Sequence, residues 1–246
     1  MKKSKSPFCL KLLIMILGFV ANLNPLAILA GECGEPILQI GWFTATQGKS
    51  QHVNIQGLIG DDFSVKKSSD QNLLVGVGYY LNGPDICQTS LLYGVNAFYL
   101  APTQVKGNVT QENFATNLSY HYSRTNYPIY LAGKALIHCN SCSDVVIDLG
   151  IGPNIVNTRG FKEQSLDGGI TIPDPHTFSG KSVVAFSATA GLGWRIHNAL
   201  GNLSLEINYR FFYLGQGELK KNNNQFRNTL HTGNSYGNAL FLSISM

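Results

Sequence analysis

Between residues 202 and 213 the chain reads NLSLEINYRFFY, and its side chains alternate with a period of two. Leu203, Leu205, Ile207, Tyr209, Phe211 and Tyr213 fall on one side, and Ser204, Glu206, Asn208, Arg210 and Phe212 on the other. Successive strand side chains point to opposite faces, so this is a β-strand. Its apolar face is unbroken and rich in aromatics, while its polar face carries full charges. A strand with lipid outside and a small polar lumen inside has this character, though a single segment signals it weakly. Recurrence is what counts.

The pattern returns along the chain. The first candidate strand is ILQIGWFTAT, residues 37–46. Leu73, Val75, Val77, Tyr79 and Leu81 oppose Leu74, Gly76, Gly78 and Tyr80, and Asn82-Gly83-Pro84-Asp85 then reads as a turn. Leu91, Tyr93, Val95, Ala97 and Tyr99 follow, and later Val145, Ile147, Leu149 and Ile151 oppose Val146, Asp148, Gly150 and Gly152. Phe186, Ala188, Ala190, Leu192, Trp194 and Ile196 oppose Ser187, Thr189, Gly191, Gly193 and Arg195. The chain closes with Leu240, Leu242, Ile244 and Met246 on one face.

Before these strands, Lys2, Lys3, Lys5 and Lys11 lead into the apolar run LLIMILGFV and on to LAILA. That order describes a cleaved secretory leader, residues 1–30, and is too short for a spanning helix. The chain has 18 Lys+Arg and 14 Asp+Glu; the leader holds four of the lysines and no acid, so the mature part, 31–246, carries 14 of each. Its formal charge is zero, and the overall basicity implies no nucleic-acid partner. A mature chain of this length suits one all-β domain.

Residues 114–138 hold a complication. Phe114, Thr116, Leu118, Tyr120 and Tyr122 are apolar on even positions, but Ile129, Leu131, Gly133, Ala135 and Ile137 on odd ones. Either two strands meet at a turn near Thr125-Asn126, or one long strand carries a β-bulge near Pro128. Connection lengths choose. Outer-membrane barrels have even strand counts, short periplasmic turns and long external loops. Loops 47–72, 157–181 and 215–235 fall outside, and turns 82–90, 139–143 and 197–201 inside, only if 114–138 is one bulged strand paired with about 90–110. The expectation is an antiparallel up-and-down transmembrane β-barrel of eight strands, with ten as the alternative count.

PIYLAGKALI, DVVIDLGIGPNIVN, SATAGLGWRI, NLSLEINYRFFYLGQG and the terminal LFLSISM resemble the closing strands of small eight-stranded outer-membrane barrels, the OmpA/OmpX-like and opacity-type surface proteins. Such chains commonly end in an aromatic residue, whereas this one ends in Met246. The resemblance implies a monomer in the outer membrane of a Gram-negative bacterium, with membrane lipid around it and any host or extracellular ligand met through loops 47–72, 157–181 and 215–235.

With Cys9 in the leader, four cysteines remain: Cys33, Cys87, Cys139 and Cys142. In the eight-strand topology all lie at the periplasmic rim, which predicts disulfides Cys33–Cys87 and Cys139–Cys142. The CNSC turn lacks the helix of a redox motif, and as half a metal site it has only His138 adjacent, so neither metal nor cofactor is expected. Lys134, Asp148, Arg195, Glu206 and Arg210 are expected as mutually compensating lumen charges. His121 and Ser123 share a strand face, as in lipid-modifying barrel enzymes, but no acidic orienter accompanies them. The leading function is a non-enzymatic surface barrel for adhesion, host interaction or envelope integrity. A small-solute, porin-like channel and a lipid-modifying enzyme are the alternatives.

Overall fold

A computed structural model describes residues 34–174 and 177–245. The expected leader and Cys33 lie outside the described residues, and with them the expected Cys33–Cys87 bond. The strands are β1 (Gly34–Thr46), β2 (Gln51–Val53), β3 (Asp61–Lys67), β4 (Ser69–Ile86), β5 (Thr89–Gln111), β6 (Ala115–Asn140), β7 (Ser143–Ser165), β8 (Phe178–Ser179), β9 (Lys181–Leu200), β10 (Leu203–Glu218), β11 (Lys220–Lys221) and β12 (His231–Ser245). Eight of them close an antiparallel ring in the order β1-β4-β5-β6-β7-β9-β10-β12, and β12 returns to β1 from Ile37↔Ser245 to Thr46↔Tyr236. Closure leaves the ring no unpaired edge, which is what a sheet in lipid requires.

Alternation along each strand sorts the side chains. Trp42, Val77, Leu131, Leu149, Leu192 and Leu240 project outward and are exposed, while Phe43, Tyr80, Tyr130, Phe212 and Phe241 are buried inside. Aromatic rings run along one border of the outer band: Tyr99 meets Tyr127 at 5.4 Å, and Tyr213 meets Tyr236 at 5.7 Å between centroids. Girdles of this kind mark the membrane–water interface. At the inner end of the band the strands approach closely. A Cβ on Gly94 would stand 2.0 Å from the Tyr79 carbonyl oxygen, so only glycine fits there.

The β6 complication resolves differently from either expected form. One strand runs from Ala115 to Asn140, paired with β5 along its length, but it has no bulge near Pro128. Leu118, Tyr120, Tyr122, Arg124, Asn126, Tyr130 and Lys134 are all buried, so even positions face inward throughout. The apolar parity changes because the surroundings change. Below Tyr127 the outer face meets lipid and takes Ile129 and Leu131; above it the outer face meets water, and the apolar residues turn inward. The bulge belongs to β5, where Leu100↔Asn126 is followed by Thr103↔Arg124 and inward facing passes from Leu100 to Thr103. Pro102, which has no N–H for the ladder, occupies it.

Two expected connections are also corrected. Asn82-Gly83-Pro84-Asp85 is an irregularity within β4 (Asn82↔Leu92, then Asp85↔Ser90), and the turn lies at Cys87, whose φ is +54°. The segment after Ile196 stays in β9 to Leu200, with an irregularity between Leu205↔Ile196 and Leu203↔Leu200 and a φ of +52° at Asn198. That distortion brings His197 to the rim beside β7.

The long connections are folded. β5, β6 and β7 rise above the aromatic border, and β3 joins β5 there, pairing Asp61↔Gln111 down to Lys67↔Lys106. β2 adds to β3, and β8 pairs with β11. Val53, Phe63, Val105, Val109, Leu118, Tyr120, Phe161, Phe178, Leu219 and Leu230 form a buried cluster inside this cap. Segments 47–72, 157–181 and 215–235, expected as loops, are therefore largely walls and lining of a capped barrel. Its core repays the entropy of ordering such long connections.

Candidate functional site

The lumen and the cap above it hold the chain's concentrated chemistry. Side chains fill the barrel in layers. Toward the short-turn end Ile37, Tyr80, Leu92, Leu136 and Val146 pack together; higher, Phe43, Leu74, Phe98, Leu100, Tyr130, Phe212 and Phe241 form a second cluster. Charges lie among them. Lys134 Nζ donates to both oxygens of Glu206, at 2.9 and 3.0 Å. Arg210 Nη2 lies 3.0 Å from Asp148 Oδ2, and its guanidinium sits 5.1 Å from the centroids of both Phe98 and Phe241. Arg195 pairs with Glu35 on β1 and donates to Ser245 Oγ at 2.6 Å. The structure thus turns Lys134, Asp148, Arg195, Glu206 and Arg210 inward, all buried. An eight-stranded barrel has room for little beyond its own side chains, and pairing is what makes such charges tolerable there.

Sequence reasoning missed three charged members. Glu35 precedes the first segment recognised as alternating. Asp144 sits at a turn, where the period-two signal has barely begun. Arg124 lies on an even position of β6, facing inward above the point where apolar parity reverses.

Arg124 closes a seam. β9 and β10 pair from Ile196↔Leu205 up to Ala188↔Tyr213 and then separate, while β7 continues with β9 to Lys181. The β10 carbonyls freed above that point are satisfied from inside: Arg124 Nη2 donates to Leu214 O at 3.1 Å and Gly215 O at 3.2 Å, and Asn154 Nδ2 to Leu214 O at 2.8 Å. Arg124 also donates to Thr232 Oγ1 and Asn126 Oδ1. Outside the seam lies a cleft of about 380 Å³ lined by Val184, Phe186, Tyr213, Gln216 and His231. An ion pair between Lys181 and Glu218 crosses its top.

His121 and Ser123 lie on the water-facing side of β6. His121 stands in register between Lys106 of β5 and Lys162 of β7. Burial, followed by those two lysines, holds its pKa below the ordinary histidine value. A catalytic histidine of a Ser/His pair needs a carboxylate behind it, and here cations flank it.

At the tip of the cap three connections meet. Glu112 accepts from the backbone of Ile59 at 2.9 Å and Gly60 at 3.3 Å, and Asn117 Nδ2 donates to Thr171 Oγ1 at 3.0 Å. Above these bonds Phe114, Ile170 and Ile172 are exposed by 92, 84 and 86%, with Leu58, Ile59 and Leu166 beside them. Beneath the tip, burial pushes the Glu163 carboxyl up to about 7; a backbone hydrogen bond from Asp174 opposes this, and the negative charges of Asp174 and Asp61 add to it. A carboxyl raised on folding binds a proton in the native cap that the unfolded chain lacks, so cap stability falls as pH rises from Glu163's ordinary value of 4.5 to about 7. Amide protection factors in β5–β7 above the aromatic border, with the intrinsic base-catalysed rate divided out, should therefore be higher near pH 5 than near pH 8. Glu163→Gln should flatten this difference; an unchanged pH dependence in that variant refutes the assignment.

Cys139 and Cys142, expected as a disulfide, carry free, exposed thiols. Cys139 Sγ approaches Ile137 O and Cys142 Sγ approaches Ser141 Oγ, both at 3.7 Å; Cys139 stands at the end of β6 and Cys142 in the tight turn before β7. Cys87 is exposed at the same rim.

A closed eight-stranded ring with an outward apolar band, an aromatic border and a charge-paired lumen has the fold of a small outer-membrane β-barrel. No family model and no curated protein matches the chain. Among solved structures it is similar to outer membrane protein OprG from Pseudomonas aeruginosa, at 13% identity over 87% of this chain and 96% of that one, with a TM-score of 0.47. It is also similar to the outer membrane protease OmpT from Escherichia coli (8% identity, 88 and 97% coverage, TM-score 0.46) and Neisserial surface protein A (9% identity, 86 and 96% coverage, TM-score 0.41).

Proposed function

We propose that this protein is a non-enzymatic surface barrel whose cap tip makes apolar contact with a host or extracellular protein. The supporting observation is the contrast along the barrel axis. The lumen and cap are filled with packed side chains, while Phe114, Ile170 and Ile172 stand exposed on hydrogen-bonded turns. Large exposed apolar groups clustered on an ordered surface mark interaction sites, and aromatic anchors commonly dominate their energetics. The flanking lysines at His121 weigh against a lipid-modifying enzyme, and the buried clusters weigh against a channel.

The test uses the refolded mature barrel with host cells or matrix proteins as the binding target. Phe114→Ser with Ile170→Ser and Ile172→Ser should weaken binding at least about tenfold while the heat-modifiable mobility of the barrel is kept. Unchanged binding would remove the cap tip from the function. In planar bilayers the protein should give no steady single-channel current; regular conductance steps would favour the channel reading.

A further inference from the structure

The rim where β6, β7 and β9 meet holds a group the lumen charges do not explain. Asp144 is fully buried, and its ion contacts are two histidines: His138 Nδ1 lies 2.8 Å from Oδ1, and His197 Nε2 lies 2.8 Å from Oδ2. The neighbouring lumen carboxylates Glu35, Asp148 and Glu206 each have an arginine or lysine partner. A buried carboxylate without such a partner is costly unless another cation compensates it.

The hydrogen bonds of Ser90 constrain the His138 ring. Ser90 Oγ donates its single proton to Asp85 Oδ1 at 2.6 Å. The same oxygen lies 2.9 Å from His138 Nε2, so it can only accept there, and Nε2 must carry the proton. In neutral His138 the lone pair of Nδ1 then points at the carboxylate oxygen. That 2.8 Å contact is met either by a second proton, which makes the ring an imidazolium, or by a metal ion bound to both atoms. On the other side, Asp144 Oδ2 takes part in no well-formed hydrogen bond although His197 Nε2 is close. The three ligand atoms lie within 4.8 Å of one another, each from a different strand.

We propose that His138, Asp144 and His197 form a divalent transition-metal site at the periplasmic rim, best matched by zinc. Two imidazole nitrogens and a carboxylate oxygen are zinc donors and leave one position open to water. Ser90 and Asp85 supply the outer hydrogen bonds that fix the imidazole of a metal-bound histidine. The short Asn140–Ser143 turn folds Asp144 back beside His138, and the β9 distortion after Ile196 adds His197 from farther along the chain. The sequence pattern offered CNSC and His138 alone, because neither Asp144 nor His197 is near His138 in any recognisable ligand spacing.

Zinc titration of the refolded mature barrel, with metal counted after dialysis, tests the site. One zinc per chain is expected. His138→Ala or His197→Ala should abolish retention through dialysis, whereas Cys139→Ser with Cys142→Ser should keep it. Ser90→Ala, which leaves all three ligands in place, should weaken affinity about 10–100-fold. Heat-modifiable mobility checks that each variant is folded. The proposal fails if no stoichiometric zinc is retained. It also fails if retention survives the histidine variants or is lost on removing the thiols, since that would place the metal on the CNSC turn.

Discussion

Glu206→Ala should destabilise the barrel by roughly 3–5 kcal/mol, the usual cost of leaving a buried charge unpaired. Glu206 is fully buried, and its carboxylate takes both contacts from Lys134 Nζ while lying 3.9 Å from Arg195 Nε. Without it Lys134 keeps a full charge in a packed interior, 5.0 Å from the Tyr80 ring and with no carboxylate in direct contact. The double replacement Lys134→Met with Glu206→Gln should cost clearly less than the single one, because it removes both charges and keeps the volume. Urea unfolding in detergent, followed by the heat-modifiable band, measures both. A double variant as unstable as the single would mean that packing, and not charge pairing, governs this layer. Replacing the exposed Lys66 should change stability by under about 0.5 kcal/mol, as expected of a solvated surface side chain.

Arg124→Met is the second large expected effect, roughly 1–3 kcal/mol with added local opening of the seam. The guanidinium donates to Asn126, Thr232, Leu214 and Gly215; Asn154 still donates to Asn126 Oδ1 and Leu214 O, and the Gly217 N–H to Thr232 Oγ1, so the loss falls chiefly on Gly215 O, and a buried acceptor deprived of its donor costs roughly 1–3 kcal/mol. Lysine should not rescue it, because an ammonium cannot reproduce the planar fork that reaches acceptors on three strands. Protease should cut the β9–β10 region of the variant earlier than that of the parent, and Arg159→Met, an exposed arginine on β7, is the control. Equal stability of the two variants would show that water satisfies the seam as well as Arg124 does.

The barrel itself was legible because its cause is local. Lipid outside and a narrow interior inside impose period two on every spanning strand, and residues 202–213 carry that record as plainly as β10 does in three dimensions. Even the strand count followed from connection lengths, since short turns and long loops must alternate around a closed ring. The same reasoning misread β6. It took a change of apolar parity as a change of facing, when the facing is constant and the solvent changes at Tyr127. Period two reports which side is apolar; it does not report whether lipid or water lies there. Nor did it foresee that the long loops would fold into a cap, because Phe63, Phe161 and Phe178 look like isolated aromatics until β3 docks on β5.

The candidate site divides along the same line. Alternation by itself assigned Lys134, Asp148, Arg195, Glu206 and Arg210 to the polar face of their strands, since that assignment needs only the parity of each residue. Their partners needed the register: Lys134 and Glu206 are 72 residues apart, and Arg195 and Glu35 are 160 apart. The contacts of Arg124 needed the divergence of β9 from β10, and the convergence of His138 and His197 on Asp144 needed an irregular β9 beside a tight β6–β7 turn. Local sequence determines which way a side chain points from its strand. Only closure of the ring, which sets the stagger between strands distant in sequence, decides what it meets there.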